Sequence, residues 1–197
     1  MYEYRYLSER DRDEVKRIRN AQRYPLHSPP HPRSGGGLFL ITAAIFEHTA
    51  LLSSPVRRTE FELRLLEGFN AEECKAHAWV VLPNHYHVLL STIDFRVIAG
   101  IVKQLHGSTS RQWNLEDNTL GRKVWFRYSG RKIRGERHFL ATLNYIHHNP
   151  VKHAVVNAEF EWPWSSFHLY LKDRGAEWIE KISRDFPILD YGSRWDE

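Results

Sequence analysis

The stretch AWVVLPNHYHVLL, Ala78 to Leu90, decides the fold. Two runs rich in β-branched and aromatic residues, Ala76 to Leu82 and His85 to Thr92, meet at Pro83-Asn84, which turns a chain and does not extend a strand. That is the spelling of a hairpin, so the two runs pair antiparallel. Along the second run the side chains alternate, with His85 and His87 on one face and Tyr86, Val88 and Leu90 on the other. A strand with polar residues on one side reads as a site or as a solvated sheet face.

Working outward, Leu38 to Phe46 reads as a buried strand. Arg57 to Phe69 reads as a helix with Phe61, Leu65 and Leu66 turned inward. Ile98, Ile101, Val102 and Leu105 recur at helical spacing after the hairpin, and a basic segment follows. A last helix spans about Glu136 to Asn149, with its end set by Pro150, because the residue before a proline is pushed out of the helical region. Phe160 to Tyr170 is rich in aromatics. This order predicts an α+β domain in which helices flank an antiparallel sheet.

Before Leu38 the chain changes character. Tyr24 to Gly37 holds four prolines and three glycines and reads as a linker. Ser8 to Gln22 is a polar helix capped by Ser8 and Asp11. The expected organisation is an N-terminal extension and linker over 1–37, one domain over 38–171, and an acidic C-terminal tail over 172–197.

Composition narrows the classes. With 197 residues, 42% hydrophobic and 26% charged, the chain is neither disordered nor collagen-like. Its longest apolar run, Leu38 to Phe46, is far shorter than the ~20 residues of a membrane helix, so no membrane association is expected. The N-terminus opens on charged residues, and Cys74 is the only cysteine, so no internal disulfide forms. A reducing, cytoplasmic setting is expected.

The net charge of +4 is unevenly placed. Between Leu120 and Leu140, seven basic residues (Arg122, Lys123, Arg127, Arg131, Lys132, Arg134 and Arg137) face one acid, Glu136, and the rest of the chain carries a net −2. Trp125, Phe126 and Tyr128 lie within this segment. Phosphate contacts and stacking faces together are the mark of a groove for single-stranded nucleic acid; the plain alternative is a solvated loop rich in Arg and Lys.

His85 and His87 share a strand face, so their imidazoles can close on one metal ion. Alone the pair is weak, since 12 histidines make one such spacing unremarkable. Tyr145 and Asn149, four residues apart in LNYIHHNP, share the flank of a helix whose inward face is Phe139, Leu143 and Ile146. There a phenol borders the packed surface without being sealed off. His147 and His148 point elsewhere on that helix. Two histidines and an amide oxygen can hold a divalent ion that grips a phosphate, and a nearby phenol can attack the phosphorus.

In the residues AWVVLPNHYHVLL (Ala78 to Leu90), WFRYSGRKIRGERHF (Trp125 to Phe139), NYIHHNPVKHAVV (Asn144 to Val156) and WPWSSFHLY (Trp162 to Tyr170), the sequence resembles the REP-associated tyrosine transposases, a branch of the single-tyrosine HUH nucleases. The resemblance covers roughly Leu38 to Leu171. It implies a ferredoxin-like antiparallel sheet flanked by helices, with His85, His87 and Asn149 as metal ligands and Tyr145 as nucleophile. It also implies cleavage of single-stranded DNA with Mg²⁺ or Mn²⁺, a 5′-phosphotyrosine link, REP-like hairpins as substrate and a monomeric protein. The middle residue of the histidine motif, usually apolar in this family, is here Tyr86. By ligand type two imidazoles also suit Zn²⁺, whereas amide and phosphate oxygens favour Mg²⁺ or Mn²⁺.

Two other readings stay open on the sequence. One is a domesticated protein that binds hairpins of single-stranded DNA or RNA without cutting them. The other is a metal-dependent hydrolase of small substrates, which leaves the basic segment unexplained.

Overall fold

The computed structural model describes residues 8–21, 32, 34–70, 74–189 and 191. Helix α1 (Glu9–Ala21) precedes β1 (Gly37–Ala44), α2 (Pro55–Phe69), β2 (Cys74–Val81), β3 (His85–Thr92), α3 (Phe95–Glu116), β4 (Ser129–Ile133), α4 (Glu136–Lys152), α5 (Phe167–Arg174) and α6 (Ala176–Asp185). The strands form one sheet in the order β2-β3-β1-β4, every neighbouring pair antiparallel. With α2 and α3 as the two crossovers, the order βαββαβ is the ferredoxin-like arrangement.

Local signals place the elements. The β2–β3 turn is two residues long, closed by Leu82 N–H donating to His85 C=O at 2.8 Å across Pro83-Asn84. Pro55 opens α2 at a position where its missing N–H costs nothing. The carboxylate of Asp94 caps α3 by accepting from Arg96 N–H at 2.9 Å. Ser8 caps α1, with its hydroxyl 3.2 Å from Asp11 N–H.

Both sheet faces are covered. On one, Phe39, Ile41, Tyr86, Val88 and Leu90 pack against Phe61 and Leu65 of α2 and Ile98, Val102 and Trp113 of α3. On the other, Leu40, Val80, Leu89 and Ile133 pack against Leu143, Tyr145 and Ile146 of α4. The solvated sheet face offered as one reading of His85 and His87 is therefore excluded, because α4 lies over it.

Helix α4 runs one turn past the expected stop and ends at Lys152. A proline removes one N–H and disfavours helix in its predecessor, a cost of ~3 kcal/mol in a helix interior. Here Asn149 and Pro150 are both buried, and that packing holds the last turn, which His153 N–H closes on Asn149 C=O at 3.1 Å. The boundary at 172 falls within α5, and Trp178, Ile188 and Tyr191 pack against the α4 side of the sheet. Of the Pro/Gly-rich segment, residues 24–31 and 33 lie outside the described residues, as do 190 and 192–197 of the tail. Among the described residues no helix is long and apolar enough to cross a membrane.

Candidate active site

The histidines of β3 meet the inward side of α4. His87 Nδ1 lies 2.7 Å from Thr42 Oγ1, its register partner on β1, and His87 Nε2 lies 3.4 Å from the phenolic oxygen of Tyr145. His85 Nδ1 lies 2.7 Å from Asn84 Oδ1, and its Nε2 lies 3.0 Å from Asn149 Oδ1. The two imidazole centroids are 5.1 Å apart. Four residues from two elements are thus brought to one point, with both Nδ1 atoms anchored and both Nε2 atoms turned inward. Metal-ligating histidines are oriented in this way by their outer partners.

The donor chemistry fits a cation. An imidazole that donates from Nδ1 to Asn84 and is neutral has only a lone pair at Nε2, and that lone pair faces a carbonyl oxygen, a second acceptor. A cation, a proton, or a half-turn of the amide that presents Nδ2–H to the lone pair reconciles the two. Asn149 Nδ2 is buried and finds no hydrogen-bond partner among the described residues, so the amide is under-satisfied as it stands. No group of three or more His, Cys, Asp or Glu side chains converges among the described residues; two imidazoles and an amide oxygen are the groups that could hold a cation here.

The phenol is more enclosed than its helical position predicts. Tyr145 and Asn149 are 0% exposed, as is His87, and His85 is 2% exposed. Counting 100° per residue places Tyr145 on a flank, but α4 is packed by the sheet on one side and by the C-terminal segment on another. Its buried arc therefore widens to include Thr142, Leu143, Tyr145, Ile146, His147 and Asn149. The ring of Tyr191 stands 5.6 Å from that of Tyr145, with its hydroxyl hydrogen-bonded to Thr142. Lys152 places its ammonium 5.0 Å from the Tyr145 ring centroid, and the His153 ring lies 4.8 Å from His85. His138 is pushed below the ordinary histidine range by burial first and then by Arg131 and Arg134, a sign of positive potential on this face. His147 is turned away, 2.9 Å from Ser166 Oγ and lowered to about 3 by burial; His148 pairs with Glu159 at 2.7 Å.

A Haemophilus influenzae protein named as a REP-associated tyrosine transposase is 27% identical over 173 residues, which is 76% of this chain and 94% of that one. The REP-associated tyrosine transposase of Escherichia coli K12 is 30% identical over 98 residues, 47% of this chain and 53% of that one. This chain is a relative of the REP-associated tyrosine transposases. A solved REP-associated tyrosine transposase bound to a REP hairpin shares the fold with a TM-score of 0.57 at 22% identity, covering 71% of this chain and 81% of that one. No family model matches the chain.

In this relative of the transposases the basic segment is not one stripe. Register places Arg131 opposite Leu40, on the α4 face, and Lys132 opposite Phe39, on the α2/α3 face, so the edge strand β4 carries cations to both sides. Lys123, Arg127, Arg134 and Arg137 are exposed; Lys123 lies 4.2 Å from the Phe46 ring centroid and Arg137 5.5 Å from that of Phe186. Tyr128 is half-buried beside them.

Two members of the expected binding surface are corrected. Trp125 is 7% exposed and stacks within the core on Phe61 and His106, its indole N–H donating to Thr109 at 2.9 Å. It offers no surface face, because a bulky ring gains more from a core slot than its charged sequence neighbours can forbid. Arg122 is engaged with Asn114 Oδ1 at 3.0 Å and Asp117 Oδ2 at 2.8 Å, anchoring the loop to the end of α3.

Thr42, Asn84, Lys152, His153 and Tyr191 were not singled out in the sequence. Thr42 carried a signal, as the one polar residue within an apolar strand, and Asn84 directly precedes the histidine motif. Tyr191 carried none, since its place depends on the path of the C-terminal segment.

Proposed function

We propose that this chain is a metal-dependent single-stranded DNA endonuclease and strand transferase acting on hairpin-forming repeats, with Tyr145 as nucleophile. The observation that carries the reading is the approach of the Tyr145 phenol to within 3.4 Å of His87, in a site where His85 and Asn149 oppose one another at 3.0 Å. In the reaction the Tyr145 oxygen bonds to phosphorus and gives up its proton. The bond to the 3′ oxygen breaks, leaving a 5′-phosphotyrosine link and a free 3′-hydroxyl.

His85, His87 and Asn149 would hold Mg²⁺ or Mn²⁺, which supplies Lewis-acid neutralisation of the phosphate charge when bound. Thr42 and Asn84 fix the two imidazole planes. Lys152 sets a positive charge 5.0 Å from the centre of the Tyr145 ring, on the side of the site where phosphate charge would gather. Arg131 and its exposed neighbours on the β4 edge would hold the strand, and the relative solved with a REP hairpin supports a folded DNA partner. A monomer is the assembly this reading carries.

The enclosure of Tyr145 beneath Tyr191 favours a second reading, a protein that binds hairpins without cutting them. A denaturing gel separates the two. Purified protein is mixed with labelled hairpin oligonucleotides in Mn²⁺ or chelator, as wild type and Tyr145→Phe. A metal-dependent adduct that survives denaturation and is lost in the variant is the expected result. An adduct that persists in Tyr145→Phe overturns the assignment, and binding without an adduct selects the non-cleaving protein.

A further inference from the structure

The sheet face opposite Tyr145 carries a cleft of about 230 Å³, lined by Ala99, Lys103 and His106 of α3 and by Phe126, Arg127 and Tyr128 of the loop before β4. Its floor is built from the core outward. Trp125 stacks on Phe61 with centroids 5.1 Å apart, and His106 stacks on Trp125 at 4.3 Å with planes 6° apart. His106 Nε2 is bonded to the Tyr86 hydroxyl at 3.0 Å. One ring face of His106 is thus covered by Trp125 and one edge by Tyr86, and the ring is among the groups that line the cleft. Burial holds this imidazole near a pKa of about 3, so at neutral pH it is an uncharged aromatic plane. Lys103 and Arg127 are exposed at the rim.

Size and chemistry together restrict the occupant. The volume is below the ~300–1,000 Å³ of sites for drug-sized ligands, so it admits one ring system. An aromatic floor flanked by two cations matches a ring attached to a phosphate, because bases stack on any π face while the backbone seeks Lys and Arg. A floor already fixed by stacking and hydrogen bonds loses little freedom when the ring arrives.

We propose that this cleft is a nucleotide pocket, in which one unpaired base of the bound DNA stacks on His106 while Lys103 and Arg127 hold its backbone phosphates. The proposal rests on the DNA-hairpin reading given above. The β4 edge, with Lys132 on the cleft side and Arg131 on the Tyr145 side, offers the strand a cationic path between the two faces.

The test uses fluorescence anisotropy at fixed salt with the tightest-binding labelled DNA hairpin of a randomised pool. Each unpaired base is replaced in turn by an abasic site. For the wild type, one abasic position weakens binding about tenfold or more, the cost of one lost base–aromatic stack. Ala99→Trp fills the cleft and removes that discrimination, so both oligonucleotides bind it like the abasic one binds wild type. Lys103→Glu, at an exposed position, weakens both alike and lowers the salt slope by about 1. Circular dichroism confirms the folding of each variant; should Ala99→Trp not fold, Phe126→Ala takes its place, with the same loss of discrimination expected. Equal binding of every abasic oligonucleotide by wild type, or discrimination that survives filling of the cleft, overturns the pocket alone. Failure of every hairpin to bind overturns the DNA reading together with it.

Discussion

On one face of β3, Tyr86, Val88 and Leu90 pack against α2 and α3; on the other, His85, His87 and Leu89 face α4. Both faces exclude water, yet the forces differ. The α2/α3 side is held by contact area and aromatic stacking, which are insensitive to direction and tolerate swaps that conserve volume. The α4 side holds polar atoms that each need a partner in a set orientation, and Asn149 Nδ2 lacks one among the described residues. A residue left unsatisfied in a dry interior costs stability that packing elsewhere must offset. The contrast teaches where stability and chemistry reside in this sheet.

The sharpest way to break this division is to compare Trp125→Ala with Tyr145→Phe in urea unfolding. Loss of the Trp125 ring removes stacking on both Phe61 and His106 and should cost about 3–5 kcal/mol. Loss of the Tyr145 hydroxyl should change stability by less than about 1.5 kcal/mol while abolishing the adduct. Equal costs would show that the α4 face is a packing element like the other.

Thr42→Val is a finer probe, since it keeps volume and removes the oxygen 2.7 Å from His87 Nδ1. Mn²⁺ affinity, read by calorimetric titration, should fall about 10–100-fold. An unchanged affinity would remove Thr42 from the support of His87.

The smallest effect belongs to Asp117, which pairs with Arg57 through 2.7 and 3.2 Å contacts and with Arg122 at 2.8 Å. Those guanidinium groups hold its carboxyl down at about 2, below the ordinary carboxylate range. The charged form is the one favoured in the folded state, so the stabilisation is complete above the ordinary range of ~4 and is lost as pH falls toward 2. Asp117→Asn should cost about 1 kcal/mol at pH 7, with the gap from wild type closing between pH ~4 and ~2. A gap that stays constant with pH would mean that the carboxylate's charge contributes nothing.

The sequence carried the hairpin, the first strand and the helices between them because period-two alternation, helical spacing and a Pro-Asn turn are local properties; β4 was legible only as part of a basic segment, since five residues with Arg131 and Lys132 exposed carry no apolar alternation. It also carried the nearness of His85 to His87, fixed by strand geometry alone. What it did not carry depends on contacts between distant segments. Tyr145 looks half-open on a helical wheel because a wheel registers one packing partner, and α4 has two. Trp125 looks like a surface ring because its segment is crowded with basic residues, six of the seven exposed, whereas its own side chain completes a stack begun by Phe61 and Trp113. Pro150 reads as a stop because the preference is statistical, and buried contacts around it exceed that preference.

The edge strand β4 also bears on how copies of the sheet meet. A strand at the margin of a sheet is a template on which another copy can add its own, the route by which sheet proteins join into fibres. β4 is only five residues long, and Arg131 and Lys132 project from its two sides. A second β4 laid alongside would bring like charges together on either surface of the extended sheet. The same cations therefore keep the sheet finite.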